Sequence, residues 1–293
     1  MVQLGVNRYG KAEIRVVRVA RGAAPDGSDV LRDWNVSTSL SGDLADSHLT
    51  GDNSNVLATD SQKNRVYALA KELEAVEPEA FALVLAPSFT SSQEPISRAR
   101  ISIDSYGWIP IGGGGYSFAR AGDLVRTTTV IHDVAAGTSV VSGIKDLIVM
   151  NTTASEFWGY PKDPYTTLPE TRDRILSTTV NASWRFRPEA VGAIDWGTAF
   201  TIARATILDA FAETYSYSLQ QMLYAIGSAL ITAVPEICEA RLALPNRHHF
   251  VVDLSPFGLD NDREVYHADD RPYGLIEGSV LADDAPDAGL AWT

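Results

Sequence analysis

Val180-Asn181-Ala182-Ser183-Trp184-Arg185-Phe186 alternates strictly between apolar and polar side chains. A period of two sends Val180, Ala182, Trp184 and Phe186 to one face of an extended chain and Asn181, Ser183 and Arg185 to the other. That is the pattern of a half-buried strand in an antiparallel sheet. Upstream, Ile14 and Val16 interleave with Glu13 and Arg15, and Ala99, Ile101 and Ile103 oppose Arg100, Ser102 and Asp104. Helical spacing is equally legible. Leu219, Met222, Leu223, Ile226, Leu230 and Ala233 form one apolar stripe ended by Pro235, and Phe200, Ala203, Ile207, Ala210 and Phe211 form a second. Val66, Leu69, Ala70 and Leu73 make a shorter stripe, and Phe81, Val84 and Leu85 follow Pro78, which suits a helix's opening turn.

Strands are predicted near residues 12–20 and 97–132 with helices near 61–86 between them. They recur near 140–150, 176–187, 248–254 and 274–281, with helices near 197–233. The order predicts an α+β protein of two tandem units, 1–136 and 137–293, joined near Ala135-Ala136-Gly137. Thr59-Asp60-Ser61-Gln62 and Thr167-Leu168-Pro169-Glu170 both read as capping boxes, a faint internal echo.

The formal net charge is −13. Such a field repels nucleic acid and anionic membranes, although a few local cations still permit a small anionic ligand. The lone cysteine, Cys238, allows no intrachain disulfide. No basic segment followed by an apolar run opens the chain, no stretch nears about 18 apolar residues, and Ala291-Trp292-Thr293 is not a peroxisomal address. The cytoplasm is the expected compartment, so the Asn-x-Ser/Thr triplets at Asn35, Asn151 and Asn181 are chance matches.

Generic motifs yield no catalyst. The glycines Gly112 to Gly115 precede no Gly-Lys-Ser/Thr, and there is neither a His-Glu-x-x-His nor a Gly-x-Ser-x-Gly elbow. His248 and His249 are adjacent on a predicted strand, so they face opposite ways and cannot share one ion.

Longer strings carry more. Arg8-Tyr9-Gly10-Lys11, Asp52-Asn53, Ala58-Thr59-Asp60-Ser61, Phe157-Trp158-Gly159-Tyr160, Asp163-Pro164-Tyr165-Thr166-Thr167-Leu168, Asp173-Arg174-Ile175-Leu176, Leu244-Pro245-Asn246-Arg247-His248 and Pro272-Tyr273-Gly274-Leu275-Ile276 follow one another along the chain. In order and spacing they closely resemble the urate oxidase family. The resemblance thins between about residues 76 and 150, where Tyr116-Ser117-Phe118 stands in place of the family's usual His-Ser-Phe.

The resemblance implies the tunnelling fold (T-fold), in which antiparallel sheets with helices on one face join between subunits into barrels. It implies a homotetramer with active sites shared between two subunits, and cofactor-free oxidation of urate by O2 to 5-hydroxyisourate and hydrogen peroxide. It also implies roles for particular residues. Arg174 and Gln220 would grip the two edges of the flat, amide-rich anion, since a guanidinium offers paired charged donors and an amide offers donor and acceptor together. Phe157 would stack on the ring, and Leu168 and Leu219 would wall the pocket. Lys11, Thr59 and His248 would form a proton relay, Asn246 with Thr59 would hold oxygen or water above the ring, and Asp60 would add contacts to it.

Each residue also has a plainer reading. Phe157 fits an aromatic cluster, Arg174 a surface ion pair, Gln220 a helix start, Thr59 an N-cap, and His248 an ordinary strand histidine. Two other functions stand beside the first. Another T-fold enzyme acting on a purine- or pterin-like ring would display a His/Cys metal set or a catalytic cysteine, and Cys238 sits in no such context. A non-catalytic urate-binding protein would need only Arg174, Gln220 and Phe157, not Lys11, Thr59 and His248.

Overall fold

The computed structural model describes residues 2–74 and 76–293. The chain forms two compact units, one of Met1–Ile144, Ser183–Thr198 and Ala285–Thr293, the other of Lys145–Ala182 and Ala199–Asp284. It is an α+β protein of antiparallel strands and helices, as the alternating and 3.6-residue periods predict.

In the first unit, β1 (Ile14–Ala20), β2 (Val30–Gly42), β3 (Ile96–Pro110) and β4 (Phe118–Asp133) pair antiparallel in that order. Register aligns one apolar face: Ile14 pairs with Val36, Val36 with Ile103, and Ile101 with Val130, all buried. Strand β2 is absent from the sequence reading. Its buried Trp34, Val36, Thr38 and Leu40 alternate with Asn35, Ser37 and Ser39, and that polar half has the composition of a loop. The short α1 (Ala45–Leu49), then α2 (Thr59–Glu72) and α3 (Pro78–Ser92), lie between β2 and β3. Helix α3 packs Phe81, Ala82, Leu85 and Phe89 onto β3 and β4, and the Phe81 ring meets Trp34 at 4.9 Å. It continues past the predicted stop, through Pro87. The backbone bond lost at proline is offset by burial of Phe89, over which the Arg65 guanidinium sits at 4.7 Å.

Residues 134–136 make the turn from β4 into β5 (Gly137–Asn151), and β6 is Leu176–Phe186. The apolar residues Val180, Ala182, Trp184 and Phe186 of β6 are all buried, as expected. Arg185 departs from the pattern, being only 3% exposed, because its guanidinium donates to the carbonyls of Pro286 and Asp287.

In the second unit, α4 (Trp196–Glu213) is followed by α5 (Leu219–Ala233) and β7 (Ile237–Val251), with β8 (Tyr266–Asp269) and β9 (Leu275–Leu281) both antiparallel to β7. Strand β7 starts earlier than predicted, at Ile237, and buries the single cysteine, Cys238. Helix α5 lays Met222, Ile226 and Leu230 against β7 and β9. Close approach requires Gly227, where a Cβ would stand 2.6 Å from a methyl of Val280. Among the described residues no helix is long and apolar enough to cross a membrane.

Candidate active site

The second unit contains a cavity of about 470 Å³. Most of its lining comes from three pieces of chain, the irregular stretch from Phe157 to Ile175, the first turn of α5 and the far half of β7, with Arg263, Tyr266 of β8 and Ile276 of β9 completing it. Phe157, Leu168, Arg174, Leu219, Gln220, Asn246 and His248 all line it, so the structure gathers these predicted residues at one place.

The irregular stretch is held by backbone bonds. Phe157 and Thr171 exchange both N–H···O bonds at 2.9 Å, and the Arg174 amide donates to the Ser155 carbonyl at 2.9 Å. Ser155 forms a parallel bridge with Ser216, in which Ser216 N–H donates to Ala154 O and Glu156 N–H donates to Ser216 O. Both serines are fully buried. Two residues on, Ser218 caps α5 by accepting the Gln221 amide at 3.1 Å, and the Gln221 side chain accepts from Tyr217 N–H at 2.8 Å. This is where a reciprocal cap occurs. The two capping boxes read from sequence are not formed: Ala58, not Thr59, is the N-cap of α2, and no helix follows Thr167. There the amide of Gln62 turns to Thr38 and Leu57, and Glu170 accepts from Gly159 N–H.

The electrostatics favour an anion. Arg174 is partly buried, burial pushes its guanidinium below the ordinary arginine value, and no carboxylate among the described residues pairs with it. Its Nε donates to Ser155 Oγ at 3.2 Å, and its Cζ lies 5.2 Å from the Phe157 ring centre. The surface ion pair considered from sequence is therefore not formed. Phe157 stacks on Tyr160 at 4.9 Å rather than joining a buried Phe-Trp cluster. Leu219 and Gln220 open α5, so the unpaired amides and positive end of the helix dipole lie at the cavity. On β7, Asn246 and His248 share a face, with Asn246 Nδ2 at 3.5 Å from His248 Nδ1. Leu168 is 48% exposed, and the Tyr160 hydroxyl donates to its carbonyl.

On the outer side, Glu156 accepts from Tyr215 Oη at 2.6 Å and from Trp158 Nε1, with Arg172 at 3.6 Å. These bonds hold the Glu156 carboxyl below the usual carboxylate range and push Tyr215 up to about 12. Phe250, Tyr266 and Ile276 also line the cavity but were not singled out from sequence. Phe250 had a usable signal, since it shares strand parity with Asn246 and His248 and its ring stacks on His248 at 5.7 Å. Ser155 and Ser216 had none.

Lys11, Thr59 and Asp60 belong to the first unit. The Lys11 amide donates to Thr38 Oγ1 at 3.1 Å, and that hydroxyl also bonds Gln62 of α2 at 2.7 Å, which fixes the N-terminal segment beside the helix start. Thr59 is the first residue of α2 and Asp60 the second. The Asp60 carboxyl accepts from Lys63 and Asn64, and chiefly the Lys63 bond, with a smaller contribution from the Lys11 charge, lowers its pKa. Among the described residues no group of three or more His, Cys, Asp or Glu side chains could hold a metal ion.

A family model described as Uricase matches residues 7–131 and 140–277. The chain is 44% identical over 279 residues to a uricase of Arthrobacter globiformis, covering 95% of this chain and 90% of the relative. It is 35% identical over 286 residues to a uricase of Dictyostelium discoideum, covering 96% and 98% respectively. The crystal structure of the Arthrobacter globiformis uricase superposes with a TM-score of 0.94 at 42% identity, covering all of this chain and 99% of that one.

Proposed function

The chain belongs to the uricase family and is a urate oxidase, and from that premise we propose how its residues divide the oxidation of urate by O2. The observation that carries the reading is the unpaired Arg174 guanidinium beside Phe157 at the cavity. A planar anion placed on Phe157 receives paired charged donors from Arg174 along one edge and the Gln220 amide along the other. Leu168 and Leu219 wall the ring.

The reaction is urate + O2 + H2O → 5-hydroxyisourate + H2O2, in which urate gives up two electrons and O2 accepts them. Lys11, Thr59 and His248 pass the protons. Asn246 with Thr59 holds oxygen, and then water, over the ring, while Asp60 contacts its edge. No cofactor takes part, because the electron-rich urate dianion reduces oxygen itself.

In our reading the chain carries two tandem T-fold units, residues 1–136 and 137–293, whose sheets join those of other copies into barrels. The enzyme is then a cytoplasmic homotetramer, and Lys11, Thr59 and Asp60 of one subunit complete the cavity of another. No nucleic acid or membrane is a partner, consistent with the net charge of −13.

The test is the loss of urate absorbance in aerobic buffer containing a chelator. Turnover is expected to persist. Complete loss after exhaustive chelation, with recovery on adding one metal, would overturn the cofactor-free mechanism.

A further inference from the structure

Arg174 and Gln220 sit on different pieces of chain, and a two-edged clamp works only if their separation is fixed. Both pieces meet at one pair of small residues. Ser155 lies one residue before Glu156 and two before Phe157, and it takes the Arg174 amide on its carbonyl and the Arg174 Nε on its hydroxyl. Ser216 bridges Ser155, and its hydroxyl donates to the carbonyl of Ser218, the N-cap of the helix that presents Gln220. Both serines are 0% exposed, and both hydroxyls are hydrogen-bonded.

We propose that Ser155 is a positioning residue of the anion clamp, aiming the Arg174 guanidinium through its Nε while the bridge to Ser216 sets the distance to Gln220. The proposal rests on the reading of Arg174 and Gln220 as the clamp. Nε is the guanidinium nitrogen that Ser155 engages, so the outer nitrogens remain for the ligand. A guanidinium on a flexible stem loses entropy when a ligand orders it, and prior anchorage removes that cost.

The experiment measures KM and kcat for urate, and the Kd of an inert purine analogue, in Ser155→Ala, Arg174→Ala and the double variant. A hydrogen bond to a charged group is lost in Ser155→Ala, so analogue Kd and KM should rise about tenfold while kcat changes little. In the Arg174→Ala background Ser155→Ala should add nothing, because the bridge to Ser216 is made by backbone and survives, and the hydroxyl acts only through Arg174. If Ser155→Ala does not fold, Ser155→Cys is used instead. It substitutes sulfur, a weak acceptor, and the same rise and the same silence in the Arg174→Ala background are expected. Wild-type affinity in the Ser155 variant, with Arg174→Ala defective, overturns the proposal alone. Equal, additive losses in both backgrounds also overturn it, marking Ser155 as generally structural. Wild-type affinity in Arg174→Ala would instead remove the clamp reading itself.

Discussion

A guanidinium and an ammonium carry the same charge, and Arg174 is where that equivalence should fail. Its task in our reading is to present parallel donors in a plane, with Nε occupied by Ser155 at 3.2 Å. Arg174→Lys keeps a point charge and loses the fork, so analogue affinity should fall by about 2–5 kcal/mol, nearly as far as in Arg174→Ala. Titration calorimetry checks this, and wild-type affinity in Arg174→Lys would place the grip elsewhere. The Glu156–Tyr215 bond makes a second residue-scale test. The tyrosine hydroxyl is the donor, so the bond needs a neutral Tyr215 and an ionised Glu156. Tyr215 is raised in the folded protein, and its contribution is therefore full below the ordinary tyrosine value of about 10 and is lost as pH rises through about 12. Glu156 is lowered, so its share is full above the ordinary carboxylate value and fades as pH falls through its own depressed one. In a spectrophotometric titration, Tyr215→Phe should remove a late-ionising tyrosinate. Loss of an early one would show that the hydroxyl is not held by Glu156.

At the scale of elements, Gly227 sets two effects against each other. Alanine improves helix propensity by about 1 kcal/mol, but its methyl would meet Val280, whose branched side chain on β9 has little freedom to turn aside. Overpacking costs about 1–3 kcal/mol, so Gly227→Ala should lower the denaturation midpoint, and Val280→Ala in the same chain should restore part of the loss. An unchanged midpoint in Gly227→Ala would mean that α5 and β9 are looser than described. The elements most legible in the sequence were those with clean periods: α5 with its single apolar stripe, and β6 with its alternation. Strand β2 was hidden because serine, threonine and asparagine serve both strand surfaces and turns, and only pairing with β1 and β3 decides between them. For the site, the predicted strand at 248–254 took in His248 but stopped short of Asn246, and the roles of Asn246, Arg174, Phe157 and Gln220 came from resemblance, since irregular chain has no period to read. Ser155 lay beyond both. A serine in a loop looks like any other until its partner is seen.

For the molecule as a whole, the second unit leaves Phe250, Val251, Leu275 and Leu281 each about half exposed, at 45%, 49%, 52% and 53%. Half-exposed apolar side chains on strands ask for cover, and closed symmetric assembly supplies it. Light scattering at micromolar concentration should therefore find an oligomer, and a monodisperse monomer that turns over urate would refute the shared site. A mixing test goes further. Lys11→Met and Arg174→Ala homomers should each be nearly inactive, because one lacks the relay and the other the clamp. Co-refolded together, they should regain a fraction of wild-type turnover through hybrid sites drawing Lys11 from one chain and Arg174 from the other. No regain would place all these residues within a single subunit's site. The burial of Cys238 on β7 has a practical consequence here. A fully enclosed thiol is inert toward reagents in solution. A cysteine placed anywhere on the surface would then be the sole reactive handle on the folded chain, so a single fluorophore or spin label could be attached at will and distances across the assembly measured without first removing a native thiol.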